Sequence, residues 1–245
     1  MHMIHALLKA SRKALDQLYP RASACLGCGD PLHAEVRTCL CETCRDALEK
    51  LRIPDSACPH CMSPLDERGR CAFCRGHGLK GLKAGYGAYR YAGVARKLIW
   101  RLKFFWQDEA AQALCDSMRQ LVPLGEYDVL TPVPLYRKRV RYRGCNQAET
   151  LCRLLAPQLG MPVICALIRT RNTAPQVTLS AHQRRKNVRH AFRATENVEG
   201  LRILLVDDIR TTGATARECA KELTRAGAKH VSILTAAIAI KKNDK

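Results

Sequence analysis

The stretch ILLVDDIRTTGAT, Ile203 to Thr215, runs from apolar residues into two adjacent aspartates and then into a Thr-Gly turn. With Leu201 and Arg202 ahead of it, LRILLV reads as a central strand buried on both faces, and ARECAKELTRAGA after it reads as a helix stopped by Gly227. In parallel α/β sheets, ligands collect at the carboxyl ends of strands. Asp207 and Asp208 are placed by this reading at such an end, and Thr211, Thr212, Gly213, Ala214 and Thr215 lead into a helix N-terminus. Backbone N–H groups there, beside the positive end of the helix dipole, suit a phosphate. The acid pair suits a sugar diol or hydrated Mg²⁺. A ribose 5-phosphate satisfies both halves at once.

Working outward, strand and helix signals alternate from about Gly81 onward. AGYGAYRY (84–91) reads as a strand and Gly93–Leu102 as a helix; YDVLTPVPL contains an apolar strand. NQAETLCRLLAPQLG is a helix closed by Gly160, MPVICALI a further strand, and HVSILTAAIAI the last. The alternation predicts an α/β fold with a parallel sheet.

The first third of the chain is different in kind. Nine of the 14 cysteines lie before Arg75, and eight form four Cys-x-x-Cys pairs: Cys25 with Cys28, Cys41 with Cys44, Cys58 with Cys61, and Cys71 with Cys74. Two such pairs complete the tetrahedron that zinc prefers, so the spacing predicts two successive structural zinc sites. Cys39 is left outside both. The division is 1–22, an amphipathic helix; 23–80, a double four-cysteine zinc-binding domain of zinc-ribbon type; and 81–245, the α/β domain. Lys9, Arg12, Lys13 and Asp16 interrupt the apolar residues of the first segment, which argues against a secretory signal and for a reducing cytoplasm.

Lysine and arginine number 41 against 22 acidic residues, a formal charge of +19. Eight zinc-bound thiolates would offset only a small part of it, and a polyanionic partner is expected. Tyr136, Arg137, Lys138, Arg139, Arg141 and Arg143 combine cationic and aromatic groups as single-strand binders do. Arg184 and Arg185, with Lys186 and Arg189, form a second cluster. ILTAAIAI is the longest nearly apolar run, too short to span a membrane.

ILLVDDIRTTGAT resembles the phosphoribosyl pyrophosphate (PRPP) signature of type I phosphoribosyltransferases. The resemblance implies that the acid pair meets the ribose hydroxyls, with magnesium nearby, while the Thr-Gly loop wraps the 5-phosphate. TPVPLYRKRVRYRGCNQAETL and RTRNTAPQVTLSAHQRRKNVRHAF extend the likeness to the ComF family, which includes the competence proteins ComF and ComFC and the GntX-like proteins. That family implies a zinc-binding N-terminal segment on a type I phosphoribosyltransferase domain. Its implied role is the handling of incoming single-stranded DNA in natural transformation, beside a helicase or another DNA-uptake protein. Two alternatives stand: an active transferase moving ribose 5-phosphate from PRPP to an unknown acceptor, and a zinc-ribbon protein adaptor. Thr211 stands where several purine transferases carry a basic aspartate, so no catalytic residue is assigned. Arg210 is expected either to temper the acid pair or to extend the phosphate site.

Overall fold

The structure is a computed structural model that describes residues 24–32, 38–76, 78–105, 107–172 and 181–240; the side chains of 181, 182, 184 and 185 fall outside it. The expected N-terminal helix at 1–22 lies outside the described residues. In chain order the elements are α1 (Glu42–Glu49), α2 (Ala72–Arg75), β1 (Gly85–Arg90), α3 (Gly93–Phe104), α4 (Asp108–Gln120), β2 (Val129–Pro132), α5 (Arg137–Arg143), α6 (Gln147–Leu159), β3 (Leu167–Arg169), α7 (Ala181–Val188), β4 (Phe192–Ala194), β5 (Arg202–Arg210), α8 (Ala214–Arg225) and β6 (His230–Ile238).

A four-stranded sheet in the order β1-β6-β5-β2 forms the centre, and each of its pairings is parallel. The α/β expectation holds. β5 and β6 are the inner strands, which explains their nearly unbroken apolar sequence: Leu204 and Val206 face one core cluster, Ile203 and Leu205 the other. The first cluster is completed by α3, α4 and α6, through Leu98, Ile99, Leu102, Leu114, Met118, Leu151 and Leu155. The second is completed by α8 and the β3–β4 hairpin, through Cys219, Leu223, Leu167 and Phe192.

The cysteine segment adds to both clusters. Leu26, Leu40 and Leu48 pack with α3 and α4, while Leu79 and Leu82 pack with β5, β6 and α8. So few large apolar residues between 24 and 80 make a core of their own inadequate, and the segment borrows the sheet's. Among the described residues no helix is long and apolar enough to cross a membrane.

Two expectations change. MPVICALI is not one strand of the main sheet: Val163 makes a single bridge to Leu130, and only Leu167–Arg169 is a strand, antiparallel to Phe192–Ala194 in a separate pair. Pro162 cannot donate to a ladder, and the run is too broken to sustain one. β5 also continues past Val206 to Arg210, so Asp207 and Asp208 lie within the strand. β6 supports the extension, pairing Thr235 with Asp207 and Ile238 with Arg210, whereas β2 stops at Pro132 opposite Val206. Beyond that point no described strand pairs with β5 on its β2 side, and the two aspartates follow there.

Candidate functional site

β5 carries the acid pair past the end of β2. Asp207 accepts a hydrogen bond at Oδ1 from the N–H of Asp208 at 2.8 Å. Asp208 Oδ2 meets Lys103 Nζ at 2.6 Å, and both side chains are largely shielded from water. Asp207 lies deep with only an edge reaching solvent; burial first, and the Asp208 carboxylate second, push its pKa up to about 8. Lys103 pulls in the other direction and does not overcome them. Two acids and one lysine thus leave the site able to accept a further cation or a polyhydroxyl ligand once the lysine withdraws.

The turn after β5 has the form a phosphate needs. Gly213 is the N-cap of α8 with φ +67°, and no side chain caps the helix N-terminus. Thr212 Oγ1 is buried without a hydrogen-bond partner among the described residues. Ala214 and Thr215 form the first turn of α8. An uncapped helix N-terminus, with the positive end of its dipole, thus follows directly on an unsatisfied hydroxyl.

The second cysteine group is built against this turn. A Cβ on Gly213 would stand 3.1 Å from the Gly78 carbonyl oxygen, 3.2 Å from Leu79 Cδ2 and 3.4 Å from Phe73 Cζ. Arg217 of α8 donates to the Gly78 carbonyl and, at 3.1 Å, to that of Thr212. Arg210 turns away from the acid pair. Its Nη2 donates to the Cys61 carbonyl at 2.5 Å and to Ser63 Oγ at 3.2 Å, and its guanidinium lies 4.4 Å over the Phe73 ring. It neither tempers the acids nor extends the phosphate site.

Both cysteine groups have the dimensions of a zinc centre. Cys25, Cys28, Cys41 and Cys44 bring their sulfurs within 4.8 Å of one another, as do Cys58, Cys61, Cys71 and Cys74. Zn–S bonds of about 2.3 Å in a tetrahedron require S···S edges of about 3.8 Å. The Cys28–Cys41, Cys58–Cys74 and Cys61–Cys71 separations are 3.8, 3.9 and 3.5 Å. N–H groups of Gly27 and Cys41 point at Cys25 Sγ at 3.3 and 3.2 Å. Burial alone would raise that thiol, but backbone donors outweigh it and bring Cys25 down to about 6. Cys39 faces elsewhere, its Sγ toward the Glu109 carbonyl at 3.4 Å, and burial pushes it up to about 11. The two groups can therefore hold one zinc each with Cys39 outside.

The basic residues after β2 form α5, at the same end of the sheet as the acid pair, because β2 and β5 are parallel neighbours. Arg137, Lys138, Arg141 and Tyr142 are exposed, while Tyr136, Arg139 and Arg143 are half-buried. Tyr136 is the N-cap residue of α5, and its side chain makes no capping hydrogen bond. Asn146 fixes the start of α6 by accepting from Ala148 N–H at 3.2 Å and donating to the Val133 carbonyl at 3.1 Å. Arg184 and Arg185 fall on α7, with side chains outside the described residues; Lys186 and Arg189 are exposed.

Two site residues escape sequence reasoning. Lys103 reaches the acid pair from α3, a hundred residues upstream, and no local motif announces it. Arg169, on β3, is buried over the Phe192 ring at 5.3 Å and sits where burial and Arg139 weaken its proton affinity while Cys219 and Asp207 strengthen it. Its charge near Asp207 follows from the β3–β4 hairpin, which periodicity does not reveal.

The Phosphoribosyl transferase domain family matches residues 146–245, the part holding β5, the turn and α8. The chain is 38% identical over 148 residues to DNA utilization protein YhgH of Salmonella typhi, covering 56% of this chain and 63% of that protein. It is 34% identical to Competence protein F of Haemophilus influenzae over 56% of this chain and 64% of that one. Competence protein ComFC of Bacillus subtilis is 30% identical, with 60% of each chain covered. The match thus spans a little under two thirds of these relatives' length. The chain is thus similar to competence and DNA utilization proteins over a little more than half its length, and its parallel α/β domain, matched in part by the phosphoribosyl transferase family, follows two four-cysteine groups.

Proposed function

We propose that the β5–α8 turn binds the 5-phosphoribosyl group of PRPP or a nucleotide, with magnesium at the acid pair, and that the chain handles incoming single-stranded DNA in the cytoplasm during natural transformation. The observation that carries the first part is the succession, over one strand end and one turn, of two shielded carboxylates, the unpartnered Thr212 hydroxyl and an α8 N-terminus that no side chain caps. Asp207 and Asp208 would hold the metal and the ribose diol; the metal would supply countercharge to the pyrophosphate. The exposed cations of α5, at the same end of the sheet, and the names of the relatives support the second part. A partner such as a helicase belongs to the same proposal.

Calorimetry with PRPP and Mg²⁺ tests it: the wild type binds, and the Asp207→Asn/Asp208→Asn double variant, still folded, does not. Unchanged affinity in the double variant refutes the acid pair's role. Pyrophosphate release across a panel of bases and amines separates a working transferase from a binding protein, since Thr211 leaves the position of a general base unfilled.

A further inference from the structure

α3 presents different residues in different directions. Val94, Ala95, Leu98, Ile99 and Leu102 are buried in the core. Lys97 Nζ and Arg101 Nε donate to the carbonyls of Gly27 and Leu26 at 2.6 and 2.8 Å, holding the first cysteine turn. Lys103 meets Asp208. The remaining direction carries Trp100, Phe104 and, just past the helix end, Phe105, which are 52%, 45% and 51% exposed. The Trp100 ring lies 5.7 Å from Phe104 and 5.0 Å from Phe105, so the three form one surface. Isolated exposed apolar residues are ordinary, but three adjoining aromatic rings are not.

The surroundings of this surface are basic. Arg143 of α5 stands over the Phe104 ring at 5.6 Å, joining the rings to the basic helix, on which Tyr142 is 84% exposed. Neither GVARKLIWRLKF of α3 nor RKRVRYR of α5 contains an acidic residue. Asp108, at the start of α4, is engaged by Arg153 at 2.9 Å. A protein partner needs apolar or acidic side chains at such a place. A single-stranded nucleic acid supplies both complements at once, flat bases for the rings and phosphates for the arginines. The interleaving is also sequence-tolerant, because every base has a π-face.

We infer that Trp100, Phe104 and Phe105 are a base-stacking platform for single-stranded nucleic acid, with the α5 cations holding its backbone. The inference rests on the single-strand reading above and adds the residues that meet the bases.

The test uses the full chain with an oligothymidylate and with the same oligomer bearing abasic residues. The wild type is expected to bind the abasic oligomer roughly 5- to 150-fold more weakly, the range for loss of one stacked base. Trp100→Ala/Phe105→Ala is expected to lose a similar factor for oligothymidylate and to be indifferent to the abasic change, with the salt dependence unaltered. As a second measurement, Trp106→Phe leaves Trp100 as the single indole, and its emission is expected to be quenched on binding. Undiminished oligothymidylate affinity in the alanine variant, or unquenched Trp100 emission in a complex that forms, overturns the platform while leaving single-strand binding intact. No binding by the wild type overturns both readings. Self-association of the nucleic-acid-free protein that Trp100→Ala abolishes makes the surface a contact between copies and overturns the platform.

Discussion

Gly213→Ala probes the contact between the second cysteine group and the phosphate turn. The new methyl incurs two costs. At φ +67° an alanine sits in left-handed backbone, worth about 1 kcal/mol, partly offset by the stiffer unfolded chain. The Cβ must also fit 3.1 Å from the Gly78 oxygen, 3.2 Å from Leu79 and 3.4 Å from Phe73, which requires the 73–79 segment to yield by a few tenths of an ångström. Overpacking on this scale costs about 1–3 kcal/mol. Gly160→Ala is the internal control: its φ is +63°, and a Cβ there meets nothing within 4 Å. The difference between the variants isolates the contact at about 1–3 kcal/mol. With a urea m-value near 3 kcal/mol/M, the midpoint of Gly213→Ala falls about 0.3–1 M below that of Gly160→Ala. Titration of inorganic phosphate reports the same displacement, since a turn pushed off Gly78 carries the α8 N–H groups with it. If the two variants unfold alike, the cysteine segment does not clamp the turn and the packing argument fails.

Elemental analysis is expected to find two zinc ions per chain, unchanged by Cys39→Ser because that thiol faces the Glu109 carbonyl; one zinc, or iron, contradicts the ligand assignment. Asp207 holds its proton in the folded state where the unfolded carboxyl releases it near 3.8, so its contribution to stability is fullest below pH 4 and is lost as pH rises toward about 8. Asp207→Asn is therefore expected to gain on the wild type between pH 5 and pH 9 in urea unfolding; a constant difference refutes it. Asp128, held down to about 2 by its hydrogen bonds from Arg202, acts oppositely and only at lower pH, where its stabilisation is lost on acidification. Replacing the exposed Arg137, Lys138 and Arg141 with alanine is expected to flatten the log–log salt slope of single-strand binding by about 2, at about 0.7 per lost phosphate contact; an unaltered slope removes α5 from the interface.

The parts of the fold that could be read from sequence are those whose signal is local. LRILLV and HVSILTAAIAI announce inner strands because burial on both faces forces a continuous apolar run. Gly160 and Gly227 mark helix ends because left-handed backbone selects glycine there. MPVICALI carried the same apolar signal without the pairing, since composition cannot distinguish a strand from apolar residues that merely line the second cluster. The reach of β5 past its aspartates was equally hidden. It depends on β6 remaining alongside through Ile238, a fact about a neighbour and not about β5.

At the site, the residues legible beforehand are those that share one turn, Asp207 to Thr215, and those that repeat one spacing, the paired cysteines. Lys103, Arg169 and the Phe73–Leu79 contact enter from other elements, and only the tertiary packing brings them together. Lys103 also explains how a chain so basic can keep two carboxylates side by side away from water. In the absence of ligand its ammonium is the countercharge of Asp208 while Asp207 keeps its proton, and a metal-bound phosphoribosyl group would have to displace both. That exchange would free the end of α3, the same turn that carries Phe104. Lys103→Met removes the countercharge without touching the turn or the rings. If Lys103 only neutralises Asp208, the variant is expected to bind PRPP and Mg²⁺ no more weakly than the wild type. If it also holds the ligand, affinity falls, and calorimetry decides between the two.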